Sequence, residues 1–195
     1  ICNGTTATLN GSGGALFSWS PSDWLNNANI ASPVVTPSGV TNTPVSKTYI
    51  LTVTDANGNC ADTDTVIVNV NPRPEVNITA NGEVTNSYDV CPDDNTVLFA
   101  NISASTQTSS SLFLWNTGET TQSVTVSPNS SQTFDVTVEN EYGCAKTDII
   151  QLQVYPIYVT VDAITDVICT EDADAGATIN VSGHPGIFPV SVNVT

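Results

Sequence analysis

Two stretches of this chain repeat one another. Residues 49–70 read YILTVTDANGNCADTDTVIVNV, and residues 134–154 read FDVTVENEYGCAKTDIIQLQV. Each runs aromatic-x-x-Thr-Val, a polar turn ending in Cys, then Thr-Asp and a second alternating strand. Upstream of each lie a Trp (Trp19, Trp115) and an earlier Cys (Cys2, Cys91). Self-similarity on this scale marks a modular array. A module that is copied is valued for its shape and reach, since one active site seldom needs duplicating.

The period-2 alternation of Thr and Val predicts sheet, and no helical periodicity competes with it. In the first repeat, strands are expected at residues 5–9, 16–20, 47–55 and 63–71. Ala56-Asn57-Gly58-Asn59 between the last two is a hairpin signal. In the second repeat, strands are expected at 75–79, 96–104, 111–115, 123–126, 133–139 and 147–155. The long loop after Trp19, PSDWLNNANIASPVVTP, is rich in Pro and Asn and reads as irregular. Asn71-Pro72-Arg73-Pro74 reads as a short, stiff linker. These signals set three domains: 1–71, entered after its first strand; 72–155; and 156–195, the truncated start of a third. The expectation is a segment of a longer, semi-rigid array.

The cysteines sharpen this. Cys2 and Cys60 flank Trp19, and Cys91 and Cys144 flank Trp115. A Trp packed on a bridge that closes a small β-sandwich is a familiar physical solution. Each repeat is therefore expected to be closed by one disulfide, Cys2 with Cys60 and Cys91 with Cys144. Each bridge would contribute about 4 kcal/mol in the chain-entropy model. Zinc and nucleophilic chemistry are disfavoured, because CxxC is absent and the one His, His184, lies in neither repeat. Paired disulfides imply an oxidising, extracytoplasmic compartment. Cys169 either opens the third module or is a free thiol.

Charge restricts the partners. The chain has 3 Lys+Arg against 19 Asp+Glu, a formal net charge of -16. Three cations cannot neutralise a phosphate backbone, so nucleic acid is excluded as a partner. An anionic membrane would repel the chain, and no apolar run is long enough to span one. The acidity suits either solubility or divalent cations. Asp55, Asn57, Asn59, Asp62 and Asp64 crowd the hairpin of the first repeat as candidate calcium ligands, a calcium ion being the one cofactor the sequence suggests. Asp93, Asp94 and Asn95 form a second oxygen-rich group, and Glu171, Asp172 and Asp174 a third. Ordinary turn chemistry explains the same residues.

Trp19 and Trp115 are expected in the core. Trp24, in its polar loop, is a candidate platform for sugar or a plug for the sandwich end. No enzyme is expected: neither a phosphate loop nor a Ser-His-Asp set is readable, and the adjacent Asp93-Asp94 pair lacks the separation across a cleft that a glycosidase dyad needs.

WSPSDWLNNANIASPVVTP followed by TYILTVTDANGNCADTDTV resembles the PKD-like, immunoglobulin-like repeats of very large Bacteroidota surface proteins. VICTEDADAGATINVSGHPGIFPVSVNV resembles the opening of the repeats of SprB-like gliding-motility adhesins, with His184-Pro185-Gly186-Ile187 in place of the usual Gly-Thr-Pro-Pro-like turn. The resemblance implies an all-β chain of tandem immunoglobulin-like (PKD-like) β-sandwich domains. It implies a filament attached to the outer surface of the cell, exported by the type 9 secretion machinery, moved by the gliding machinery, and bound to polysaccharide or another substratum. Related modules serve as spacers or carbohydrate-binding accessories of secreted enzymes, which is the alternative reading. Asp64-Thr65-Val66 fits the O-glycosylation pattern of that group, with Thr65 as acceptor. Several Asn-x-Ser/Thr triplets also occur, as an Asn- and Thr-rich chain produces by chance.

Overall fold

In the computed structural model, residues 1–103, 111–156, 158–165 and 176–182 are described. Among them there is no helix, and so none long and apolar enough to cross a membrane. The fold is all-β. Fifteen strands follow in order: β1 (Ala7–Thr8), β2 (Leu16–Ser20), β3 (Val34–Val35), β4 (Val45–Thr54), β5 (Ala61–Val70), β6 (Val76–Ala80), β7 (Glu83–Val84), β8 (Ser87–Val90), β9 (Thr96–Ile102), β10 (Ser111–Trp115), β11 (Ser123–Val126), β12 (Gln132–Asn140), β13 (Ala145–Val154), β14 (Tyr158–Thr165) and β15 (Gly176–Ser182). Contacts divide the chain into two compact units. One holds Ile1–Asn77, Ala100–Gln122 and Asp135–Asp148; the other holds Ile78–Phe99, Ser123–Phe134 and Ile149–Thr195.

In the first repeat, β2, β4 and β5 form an antiparallel sheet in the order β2-β4-β5, and β1 pairs with β3. Alternation along β4 turns Tyr49 and Leu51 inward, and Trp19 stands directly opposite Leu51. Around them gather Leu9, Val35, Val40, Val68 and Val70 as one buried cluster. Burying such side chains is worth about 1.5–3 kcal/mol each. Trp19 carries one polar atom into this core, and its Nε1 donates to Ile30 O at 3.0 Å. The Gly-rich turn before β2 has a steric cause at Gly14. A Cβ there would collide with the Val53 side chain and lie 2.8 Å from Thr54 O.

The second repeat forms two four-stranded sheets, β11-β9-β6-β7 and β10-β12-β13-β8. Its strands have the order of an immunoglobulin-like sandwich, with β8 running parallel beside β13 through Val90↔Val154. Trp115 pairs with Val136 as Trp19 does with Leu51. Its Nε1 donates to Thr121 O at 2.8 Å. Phe134, Val136 and Val138 alternate inward from β12.

The strands expected in the two repeats are present, with no end moved by more than two residues. Residues 5–9 shorten to β1. Three short elements were not expected: β3 inside the Trp24 loop, and β7 and β8 ahead of Cys91. The expectations for Cys169, Glu171, Asp172, Asp174 and His184 fall on residues outside the described ones.

Candidate functional site

The cysteines do not pair within repeats. Cys2 is bonded to Cys144, 142 residues away, with Cα atoms 5.7 Å apart. Cys60 and Cys91 are free thiols, Cys60 exposed and Cys91 half-buried. The expected Cys2–Cys60 and Cys91–Cys144 bridges are corrected by simple strand geometry. Cys60 immediately precedes β5, whereas Cys2 bridges to Asn71, just past its far end. Eleven residues of strand put them about 35 Å apart along the sheet, where a disulfide tolerates about 7 Å between Cα atoms. In the second repeat Cys144 precedes β13, and Cys91 follows β8, whose last residue pairs with Val154 at the opposite end of β13. The two cysteines of a repeat therefore sit at opposite ends of its last strand. The Trp between them stands opposite an aliphatic residue, Leu51 for Trp19 and Val136 for Trp115.

The bridge belongs to a wider junction inside the first compact unit. Asn140 closes the β12–β13 turn, its Oδ1 accepting from Tyr142 N at 3.2 Å and Cys144 N at 3.0 Å. Its Nδ2 donates to Pro72 O at 2.9 Å. Arg73 Nε donates to Ala145 O at 2.7 Å. Asn140 is 4% exposed and Cys144 fully buried. The linker between the repeats is thus held to one hairpin by two side-chain hydrogen bonds, and Cys2, which bridges to Asn71, is bonded covalently to the same hairpin. No motif marked Asn140 or Arg73. Only the alignment of Asn140 with Asp55 distinguishes the position.

Three of the candidate calcium ligands accept hydrogen bonds from the backbone. Asp55 Oδ1 accepts from Asn59 N at 2.7 Å and Cys60 N at 3.2 Å. Asp62 and Asp64 each accept from the next backbone amide, Thr63 N at 2.8 Å and Thr65 N at 2.7 Å. Asp62 and Asp64 stand opposite Val53 and Leu51 and, with Gly11 and Gly14, line an open groove of about 520 Å³. Gly58 takes φ +73° in this hairpin, and Asn57 does not take a positive φ. Among the described residues, no three Asp, Glu, His or Cys side chains gather at a point that could hold a metal ion.

Trp24 is half-buried and packs against the core cluster of the first repeat. Its φ is +64°, in the left-handed region that bulky residues rarely adopt. Two contacts hold that conformation: Thr36 N donates to Trp24 O at 2.8 Å, and Leu25 bridges to Val35. Lys47 Nζ lies 5.0 Å from the centre of the Trp24 ring and also binds Asp23 Oδ2 at 2.6 Å. A cation over the ring stabilises it by about 0.5–1 kcal/mol at such a site. Trp24 thus packs against the core with Lys47 over its ring. Beside it, Tyr49 Oη donates to Asp23 O at 2.8 Å. Burial, and then the Asp23 charge, raise the Tyr49 phenol above its ordinary value of 10.0.

Thr65 is exposed in mid-β5, opposite Ile50. Asp93 and Asp94 belong to the loop after Cys91. Asp93 N donates to Pro128 O at 3.0 Å and Asp94 N to Cys91 O at 3.2 Å, and Asp93 takes φ +62°.

No family model matches the chain. No curated protein matches it either. Among solved structures it is similar to the three N-terminal domains of the outer capsid protein Hoc of bacteriophage RB49: 17% identity, 95% of this chain and 67% of that one, TM-score 0.42. It is also similar to extracellular domains 3–5 of Drosophila OTK (13%, 79% and 58%, 0.36) and to the fibronectin(III)-like modules of CbhA from Clostridium thermocellum (11%, 80% and 88%, 0.31). The structure itself shows an all-β chain, with the strand order of an immunoglobulin-like sandwich in its second repeat and a Cys2–Cys144 disulfide.

Proposed function

We propose that the chain is a structural segment of a long, secreted cell-surface adhesin, holding an attachment site away from the cell. One observation carries this reading: the junction between the repeats is fastened by Cys2–Cys144, by Asn140 to Pro72 and by Arg73 to Ala145. A spacer that transmits pull benefits from a linker that cannot extend. An accessory domain on a flexible tether has no such need. The finer assignment, to a filament exported by the type 9 system and driven by the gliding machinery of a Bacteroidota cell, is supported by the resemblance of the Trp24 loop and of the TVTDANGNC segment. Attachment to polysaccharide or another substratum belongs to the same reading.

The test is made on cells. An antibody raised against residues 1–155 is expected to label intact cells, and external protease is expected to remove the label. In-frame deletion of these residues should reduce attachment and gliding while leaving growth unchanged. Label found only after lysis, or on a released hydrolase, would overturn the proposal. The second result would favour the spacer of a secreted enzyme.

A further inference from the structure

Cys60 and Cys91 are each the counterpart of a bonded cysteine. Cys60 aligns with Cys144, and Cys91 with Cys2. The backbone agrees at both ends. Around the opening cysteine of the first repeat, Asn71 N donates to Ile1 O at 2.8 Å, Gly4 N to Pro37 O at 2.8 Å and Thr5 N to Cys2 O at 3.0 Å. In the second repeat, Tyr155 N donates to Val90 O at 3.0 Å, Asp93 N to Pro128 O at 3.0 Å and Asp94 N to Cys91 O at 3.2 Å. Gly4 and Asp93 share a positive φ, +77° and +62°. The hairpins agree likewise: Asp55 N donates to Cys60 O at 3.1 Å and Asn140 N to Cys144 O at 3.0 Å. Cys91 therefore has the backbone setting of Cys2, which in this same chain bonds the hairpin of the repeat that follows it.

The surroundings of Cys91 point independently to something that fills them. A cleft of about 310 Å³ opens beside it, lined also by Asn81, Tyr88, Asp94, Thr96 and Tyr155. Thr96 is 1% exposed, and its Oγ1 is buried without a hydrogen-bond partner. A native interior rarely leaves such a group unsatisfied. Pro156 stands where Pro72 stands in the first linker. Pro72 is buried, with its carbonyl taken by Asn140, whereas Pro156 is exposed.

We propose that Cys91 is a disulfide site for the hairpin cysteine of a further repeat of the same kind, so that the opening cysteine of each repeat is stapled to the hairpin of the next. Cys60 is then the hairpin half of the same device, facing a preceding repeat. Closure is a thiol–disulfide exchange. The Cys91 and hairpin thiols lose two electrons and two protons, and an external disulfide such as oxidised glutathione or an oxidoreductase takes them up and leaves as two thiols. The inference rests on the tandem-array reading and deepens it.

The test inserts a second copy of residues 72–155 between Tyr155 and Pro156 of the full chain. The protein is oxidised in glutathione buffer, alkylated, and mapped by mass spectrometry of non-reduced peptides. The expected map shows Cys2 joined to Cys144 and Cys91 joined to the hairpin cysteine of the inserted copy, with Cys60 and the inserted opening cysteine alkylated. Cys144→Ser made in the inserted copy alone should release Cys91 and leave Cys2–Cys144 intact. Alkylated Cys91 in chains that have formed Cys2–Cys144 overturns the proposal, as does Cys91 joined to any other cysteine. If Cys2–Cys144 itself fails to form, the staple rule falls at its first instance. The adhesin reading fails separately, on surface labelling.

Discussion

The hairpins of the two repeats are built alike and used differently. In each, one side chain closes the turn through its Oδ1: Asp55 on Asn59 N and Cys60 N, and Asn140 on Tyr142 N and Cys144 N. In each, a glycine takes the left-handed conformation, Gly58 at +73° and Gly143 at +71°, which costs a residue with a Cβ far more. Yet the first hairpin ends in an exposed thiol and the second in a buried disulfide. The local sequence determines the turn, and the neighbouring repeat determines its use. The change from carboxylate to amide marks the difference, because only an amide both accepts from its own turn and donates to the linker.

The largest effect expected is at the bridge. A disulfide closing a loop of 142 residues restricts the unfolded chain by about 5 kcal/mol in the entropic model. Cys144→Ser should lower stability by about 3–5 kcal/mol and should free Cys2 for alkylation. Cys60→Ser should change the unfolding midpoint by less than about 0.5 kcal/mol, as an exposed substitution does. Denaturant unfolding of the two variants checks both figures. Equal losses would show that the hairpins are equivalent after all.

Exchanging the capping residues probes the comparison next. Asn140→Asp keeps the acceptor for Tyr142 N and Cys144 N but removes the donor to Pro72 O and turns a buried carboxylate toward that carbonyl. Leaving a buried polar pair mismatched costs about 1–3 kcal/mol, and more for a charge. A loss of about 2–4 kcal/mol is expected. Asp55→Asn, in the half-exposed hairpin, should stay within about 0.5 kcal/mol. If the Asn140 variant is as mild as the Asp55 variant, the bond to Pro72 has no part in holding the linker.

This asymmetry also explains what could be read from the residues alone. Trp19 and Trp115 were legible as core because alternation is a local signal, and the long strands β4, β5, β12 and β13 were legible because they carry it over nine or ten residues. β8, Ser87–Val90, was not, since SYDV alternates weakly and is a strand only through its parallel partner β13. β3 is two valines inside a loop and exists through β1. The disulfide partners were misread for a related reason. Spacing shows which cysteines share a repeat, but their reach depends on which end of β5 or β13 each one occupies. Asn140 carried no signal of its own, because its second hydrogen bond goes to Pro72, 68 residues back.

The smallest of the three contrasts concerns the aromatic that opens each repeated segment, Tyr49 in the first repeat and Phe134 in the second. Both are buried, but only Tyr49 carries a hydroxyl, bonded to Asp23 O at 2.8 Å. Tyr49→Phe removes that bond and should cost about 1 kcal/mol at neutral pH. The phenol is raised by burial and then by Asp23, so the fold holds this proton more tightly than the unfolded chain does. Its contribution is therefore complete below the ordinary value of 10.0 and is lost as pH climbs through the raised one. Wild-type stability should decline through that alkaline window, and the Tyr49→Phe variant should decline less over it. Unfolding midpoints measured from pH 8 upward test this. Parallel curves for the two proteins would mean that the buried hydroxyl of the first repeat is no more than a bulkier version of Phe134.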